Sequence, residues 1–239
     1  MKSSLPFPDP VSSHLSSQRG SGIFIILIAI VLFAALTYAI SRNSSGGKSL
    51  DQEKTMMVAT EILDTANRLA ETVSVLRLHG TKHTELSFEY NGNYINASCA
   101  TDSCKIFSYD GGGLDWETPP ASVTDGEGWG YSGDMAIADI GTSSADLVMF
   151  LPNLPVNVCH RINVMLGIDV ESGSPPYWMS GITADQFTGT YNAAPTTISE
   201  PPIDGEKSGC LRIEFLDGTA VDASPQVDKY VFYQILIAR

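Results

Sequence analysis

The sequence predicts an α+β fold: an N-terminal transmembrane helix, then a long amphipathic helix packed on an antiparallel sheet. Three observations carry this expectation. An uncharged apolar run of 18 residues, IFIILIAIVLFAALTYAI, spans Ile23–Ile40. At about 1.5 Å per residue it would extend roughly 27 Å as a helix, close to the hydrocarbon thickness of a bilayer. A helical apolar period follows over residues 50–79. From Thr84 onward the period changes to that of strands, broken by Gly, Pro and Asp clusters.

These signals divide the chain into a cytoplasmic leader (1–20), a transmembrane helix (21–41), a linker (42–49) and an extracytoplasmic α+β domain (50–239). The leader is rich in Ser and Pro and has little apolar content, the composition of a segment without a packed core. In the linker, Gly46-Gly47 is expected to interrupt helix and act as a hinge. Asn43-Ser44-Ser45 matches a glycosylation sequon.

The helix over 50–79 has Ser49 placed as N-cap with Gln52 three residues on, a capping-box spacing. Val58, Ile62, Leu69, Val73 and Leu76 share one face, and Gly80 is the stop signal. Strand patterns follow at Leu86–Tyr90, Ile106–Tyr109, Ala136–Ile140 and Leu147–Leu151. Pro155 suits the first position of a short helix with Val158, Ile162, Met165 and Leu166 on one face and Gly167 at its end. Residues 172–209 read as long surface loop with one short strand near Thr188–Tyr191. Cys210–Phe215 and Tyr230–Ala238 read as strands. The second is too apolar for an exposed edge and is expected at the centre of the sheet.

Formal net charge is −13. An acidic domain is repelled by nucleic-acid phosphates, which argues against a nucleic-acid partner. Four cysteines, Cys99, Cys104, Cys159 and Cys210, all follow the apolar run. An even count of this kind fits disulfides in an oxidising compartment, and the spacings do not match zinc-site patterns. Three pairings are open. Cys99–Cys104 would close a small loop, and Cys159–Cys210 would then cross-link distant segments. The cysteines set the expected orientation: a single-pass inner-membrane protein with its N-terminus cytoplasmic and its C-terminal domain periplasmic or extracellular.

The apolar run itself admits three readings. A cleaved secretory signal would end near Thr37-Tyr38-Ala39. A plain single-span anchor would stay uncut. The third reading rests on Gln18-Arg19-Gly20-Ser21-Gly22, a short leader with a basic residue and glycines ahead of an unbroken apolar helix. This resembles the type IV pilin-like class, closest to minor pilins and the minor pseudopilins of type II secretion. The resemblance covers about 25 residues. It implies that a prepilin peptidase cuts after Gly20 or Gly22, with Arg19 and Ser21 flanking the site, and that the apolar helix then packs against other pilin-like subunits. Major pilins carry a glutamate five positions after the cut. Here that position is Ile25 for a cut after Gly20, or Leu27 for a cut after Gly22, which shifts the resemblance toward minor or tip subunits.

No catalytic constellation stands out. His79 and His83 have helical metal spacing but flank Gly80. His160 beside Cys159 makes a thiolate pair only if that cysteine is free. The loop from Asp110 to Glu117, with Asp125 and Glu127, offers oxygen ligands for calcium without the spacing of a known loop. Trp116, Trp129, Tyr131, Tyr177 and Trp178 form either a ligand surface or the edges of a core. The expectation is therefore a structural, non-enzymatic minor pilin-like or pseudopilin-like subunit of an envelope filament or secretion apparatus, with no cofactor, no metal and no catalytic residue. The alternative is a binding or sensing module in the periplasm on a single-span anchor.

Overall fold

The computed structural model describes residues 21–43, 46–119, 121–124, 126–168, 173–220 and 226–239. The chain forms two compact units, Met1–Leu50 and Asp51–Arg239.

The first unit contains helix α1, Ser21–Asn43. Its described side chains run from Gly22 to Tyr38, 17 residues, or about 26 Å of helix. Among the described residues no helix is long and apolar enough to cross a membrane, where a span needs about 20 residues. The expected transmembrane helix is corrected on that finding, and with it the single-pass inner-membrane placement and the single-span anchor of the alternative reading.

Helix α2 covers Gly46–Leu78. It begins ahead of the expected position 50, so Ser49 lies inside it and is not its N-cap. Gly46-Gly47 form its first turn and do not break it, while residues 44 and 45 lie outside the described set. Gly80, at φ +100°, takes the chain out of the helix as expected. Within the second unit, Ala59, Ile62, Ala66, Leu69, Val73 and Leu76 are buried. Steps of three and four keep these six on one stripe. They share a single apolar cluster with residues of the sheet, and Val58 packs at its margin.

Among the described residues the sheet has six strands: β1 Gly130–Ile137, β2 Asp146–Leu154, β3 Tyr177–Thr183, β4 Thr196–Ile198, β5 Ser208–Asp217 and β6 Gln226–Ile237. Their order is β3-β5-β6-β2-β1-β4. The central pairs are antiparallel, but β3 runs parallel to β5 and β4 parallel to β1. The sheet is therefore mixed, a correction to the antiparallel expectation. Its two parallel pairs lie at the two edges, and both edge strands come from the stretch read as loop. The apolar β6 is interior as expected, because a strand buried on both faces can be apolar without alternation. Two short helices complete the unit, α3 Ala121–Thr124 and α4 Val156–Leu166. In α4 Pro155 is the N-cap, one position before the expected one, and Gly167 closes the helix at φ +77°.

The segment 84–119 is irregular. Leu86–Tyr90 and Ile106–Tyr109 are not strands; single bridges join Ser87 to Lys105 and Tyr90 to Asn93. Their apolar residues Leu86, Phe88 and Ile106 are nevertheless fully buried. A 3-10 turn at Asp102–Cys104 is held by Lys105, whose ammonium reaches Asp102 at 3.0 Å and Glu89 at 2.9 Å.

Candidate functional site

Helix α1 is the first candidate surface. From Ile23 to Tyr38 its described side chains are exposed all round, the large apolar ones from 44% at Ile28 to 74% at Phe33. Of the processing residues, Arg19 and Gly20 lie outside the described residues, Ser21 opens α1, and Gly22 is exposed with open space around it.

The aromatic residues separate into two places. Trp129 and Tyr131, on and beside β1, are core residues at 5% and 1% exposure. Trp116 joins them from the loop. It stacks on Tyr90 at 4.1 Å between centroids and meets Phe107 edge-on at 5.1 Å. Phe88 stacks on Tyr131 at 4.2 Å. Burial raises the Tyr131 phenol well above its ordinary range, so it stays protonated. The cavity beside this cluster is about 20 Å³, which is room for a water and not for a drug-sized ligand. The indole Nε1 of Trp116 is buried there without a hydrogen-bond partner among the described residues. Arg68 closes the mouth, donating to Glu117 at 2.8 Å and meeting Asp64 at 3.2 Å. The hydrogen bond to Glu117 is the main cause of its raised pKa. Tyr177 and Trp178 lie elsewhere, half-buried on β3, where the Arg212 guanidinium sits 4.7 Å above the Tyr177 ring. The five aromatics thus make a core margin and a sheet edge, with no single cleft between them.

Both disulfides pair neighbours in the fold, Cys99–Cys104 and Cys159–Cys210. The second pins α4 to β5 and leaves Cys159 without a thiolate, so His160 has no nucleophile to activate. His79 lies beyond the end of α2 and is exposed, with the turn at Gly80 between it and His83. Among the described residues there is no group of His, Cys, Asp or Glu suited to hold a metal. Asp125, one of the oxygen candidates, lies outside them.

Two buried polar arrangements gave no signal in the sequence. Asn163 on α4 is fully buried; its amide donates to Cys210 O at 2.7 Å and accepts from Cys210 N at 2.8 Å. Arg212, two residues on, already takes the start of β3 by donating from N to Pro176 O. Asn163 therefore completes the β5 ladder where β3 has not yet begun. At the other end of the sheet Asp146, fully buried, accepts from Arg239 N at 2.9 Å, and the Arg239 guanidinium lies 4.0 Å over the Tyr191 ring. Tyr191 in turn donates to His83 O at 3.4 Å. Burial pushes Tyr191 up to about 12 and raises Asp146. Burial also lowers His83, with the charges of Arg239 and Arg77 adding to it. Both arrangements tie distant chain segments together and read as structural.

No family model, curated protein or solved structure matches this chain.

Proposed function

We propose that this protein is a non-enzymatic assembly subunit of the minor pilin-like or pseudopilin-like kind. In this reading α1 is the assembly element and the disulfide-bonded α+β unit is what it displays. The observation that carries it is α1 itself. A helix apolar on every side is stable only when something apolar surrounds it, and here every described side chain from Ile23 to Tyr38 is exposed. The occupants this reading assigns are the apolar helices of neighbouring pilin-like subunits. The leader residues Arg19 and Gly20 support it through their resemblance to a prepilin processing site. Two disulfides fit assembly in an oxidising compartment. A binding module that uses the aromatic loops as its ligand surface has less support, because the cavity in the Trp116 cluster is only about 20 Å³.

The test is the N-terminal residue of the mature protein, determined in cells with and without a prepilin peptidase. A start at Ser21 or Ile23 that depends on the peptidase is the expected result. An intact leader in both strains would overturn the proposal.

A further inference from the structure

The two disulfides lie in opposite surroundings. Cys159 and Cys210 are fully buried between α4 and β5, where Asn163 bonds both backbone groups of Cys210. Cys99 is half-buried, and its partner Cys104 closes the 3-10 turn at Asp102–Cys104. The other residues from 97 to 103 are exposed. A thiolate must reach a sulfur to exchange with it, so exposed disulfides are the labile ones and enclosed ones resist.

The chain on either side of the Cys99–Cys104 bridge is pinned without it. On one side Asn96 is buried, and its amide donates to Thr84 O at 2.9 Å and Leu86 O at 2.8 Å. On the other, Ser87 N donates to Cys104 O at 3.0 Å and Ile106 N donates to Ser87 O at 2.9 Å. Ile106 is fully buried, and the Lys105 ammonium holds Glu89. Breaking the bridge frees the loop between these anchors and leaves the anchors in place. They also keep the two thiols near each other, and a short loop closes again at little entropic cost. The glycine loop leans on the same turn. Gly112 N donates to Lys105 O at 2.9 Å, and a Cβ at Gly111 would strike Asp102 O and Lys105 O. That loop presents Tyr109, which is 96% exposed.

We propose that Cys99–Cys104 is a reversible redox clip. A dithiol reductant opens it in the folded protein while Cys159–Cys210 stays closed, and its state sets the conformation of the surface formed by residues 97–103 and the Tyr109 loop. One thiolate of the reductant attacks Cys99 Sγ, on the more accessible of the two cysteines. A mixed disulfide forms, the Cys99–Cys104 bond breaks, and Cys104 leaves as a thiolate that takes up a proton. The second thiolate of the reductant then attacks the mixed disulfide and releases Cys99, which also takes up a proton. Two electrons pass to the protein, and the reductant ends as a disulfide, its two protons balanced by those on Cys99 and Cys104. The clip is separate from α1 and does not rest on the assembly reading.

The test uses the folded full chain with both bridges formed. It is treated with dithiothreitol in the absence of denaturant, and freed thiols are capped with N-ethylmaleimide and located by peptide mass. Cys99 and Cys104 should be capped at least about tenfold faster than Cys159 and Cys210. In the selectively reduced chain, amide hydrogen exchange should rise over residues 97–113 and stay unchanged in α2 and β6. Oxidised glutathione should return both readouts to their starting values. A full chain carrying Cys99→Ser and Cys104→Ser together should fold and show the exchange pattern of the reduced chain. Capping of all four cysteines at one rate, or of Cys159 and Cys210 first, would overturn the proposal. So would exchange that rises throughout the domain, or failure of the doubly substituted chain to fold, because the bridge would then be a structural staple. Exchange that rises nowhere on reduction would overturn it too, since the bridge would then set no conformation.

Discussion

The amide of Asn163 holds α4 to the end of β5, and its removal has a calculable consequence. Substituting Asn163→Leu keeps the branched shape, with somewhat more bulk, and removes both hydrogen bonds, at 2.7 and 2.8 Å, to the backbone of Cys210. Both residues are at 0% exposure, so water has no open path to replace the amide. A buried backbone group left unpaired costs about 1–3 kcal/mol, so two cost about 2–6 kcal/mol. The added apolar surface offsets roughly 1–2 kcal/mol of that. The expected net loss is about 3 kcal/mol. With a urea slope near 2 kcal/mol/M, the unfolding midpoint of the full chain should fall by about 1.5 M at unchanged slope, read by tryptophan fluorescence. Asn163→Asp distinguishes hydrogen bonding from packing. A carboxylate still accepts from Cys210 N but repels Cys210 O, so this variant should be weaker at neutral pH and partly recover when protonated. A midpoint shift under about 0.25 M for Asn163→Leu, roughly 0.5 kcal/mol, would refute the argument that these two bonds secure α4.

The two disulfides should differ in weight. Replacing Cys159 and Cys210 together by Ala, a separation of 51 residues, should cost about 4 kcal/mol by loop entropy. Replacing Cys99 and Cys104, 5 apart, should cost about 2 kcal/mol, both read from urea midpoints. The lowered pKa of His83 means that the fold favours the neutral ring. Its contribution is complete above the unfolded value of about 6.5 and is lost as pH falls below that through the folded value. A melting-temperature profile from pH 8 to 5 should therefore decline for the native chain and flatten in that window for His83→Asn. In the glycine loop, a Cβ at Gly112 would lie 2.4 Å from Ile106 O and 2.6 Å from Thr72 Cγ2, whereas one at Gly113 meets nothing within 4 Å. Gly112→Ala should thus cost about 1–3 kcal/mol through overpacking. Gly113→Ala, strained only by its φ of +66°, should cost about 1 kcal/mol, both by thermal unfolding.

What was legible in the sequence was what depends on neighbours along the chain. The period of three and four over Ile62, Leu69, Val73 and Leu76 set the buried face of α2. Pro155 and Gly167 bracketed α4 to within a residue, and the unbroken apolar run of β6 placed it inside the sheet. Ala59 and Ala66 belong to the same face of α2 but are too small to stand out in an apolar pattern. The missed elements depend on distant partners. Strand β3 contains Ser180-Gly181 and follows two prolines, which locally favour loop; parallel pairing with β5 decides its state. The reverse holds for Leu86–Tyr90, which alternates like a strand yet finds no ladder and buries its apolar residues beneath an irregular segment. Asn163 had no signal at all, because nothing marks an asparagine as the partner of a backbone 47 positions away. Among the candidate residues, the cysteines were legible as a set and their pairing was not, since only the fold brings α4 to β5.

The charge distribution bears on how copies of this chain could associate. No charged residue lies between Ile23 and Ile40, so contacts made by α1 carry no electrostatic cost between copies or between different subunits, and they discriminate poorly among apolar partners. The acidic α+β unit behaves oppositely. Exposed like charges on two copies repel within a Debye length of about 8–10 Å, which disfavours close approach of two acidic units at low ionic strength. Salt separates the two kinds of contact. Association through α1 should be nearly independent of ionic strength, because no charge is involved. Association that brings two acidic units face to face should strengthen several-fold as salt rises from about 0.01 to 0.15 M, where the screening length shrinks from roughly 30 to 8 Å and the repulsion between them is removed. Association of the acidic units that falls with added salt would mean that charge attraction brings the copies together.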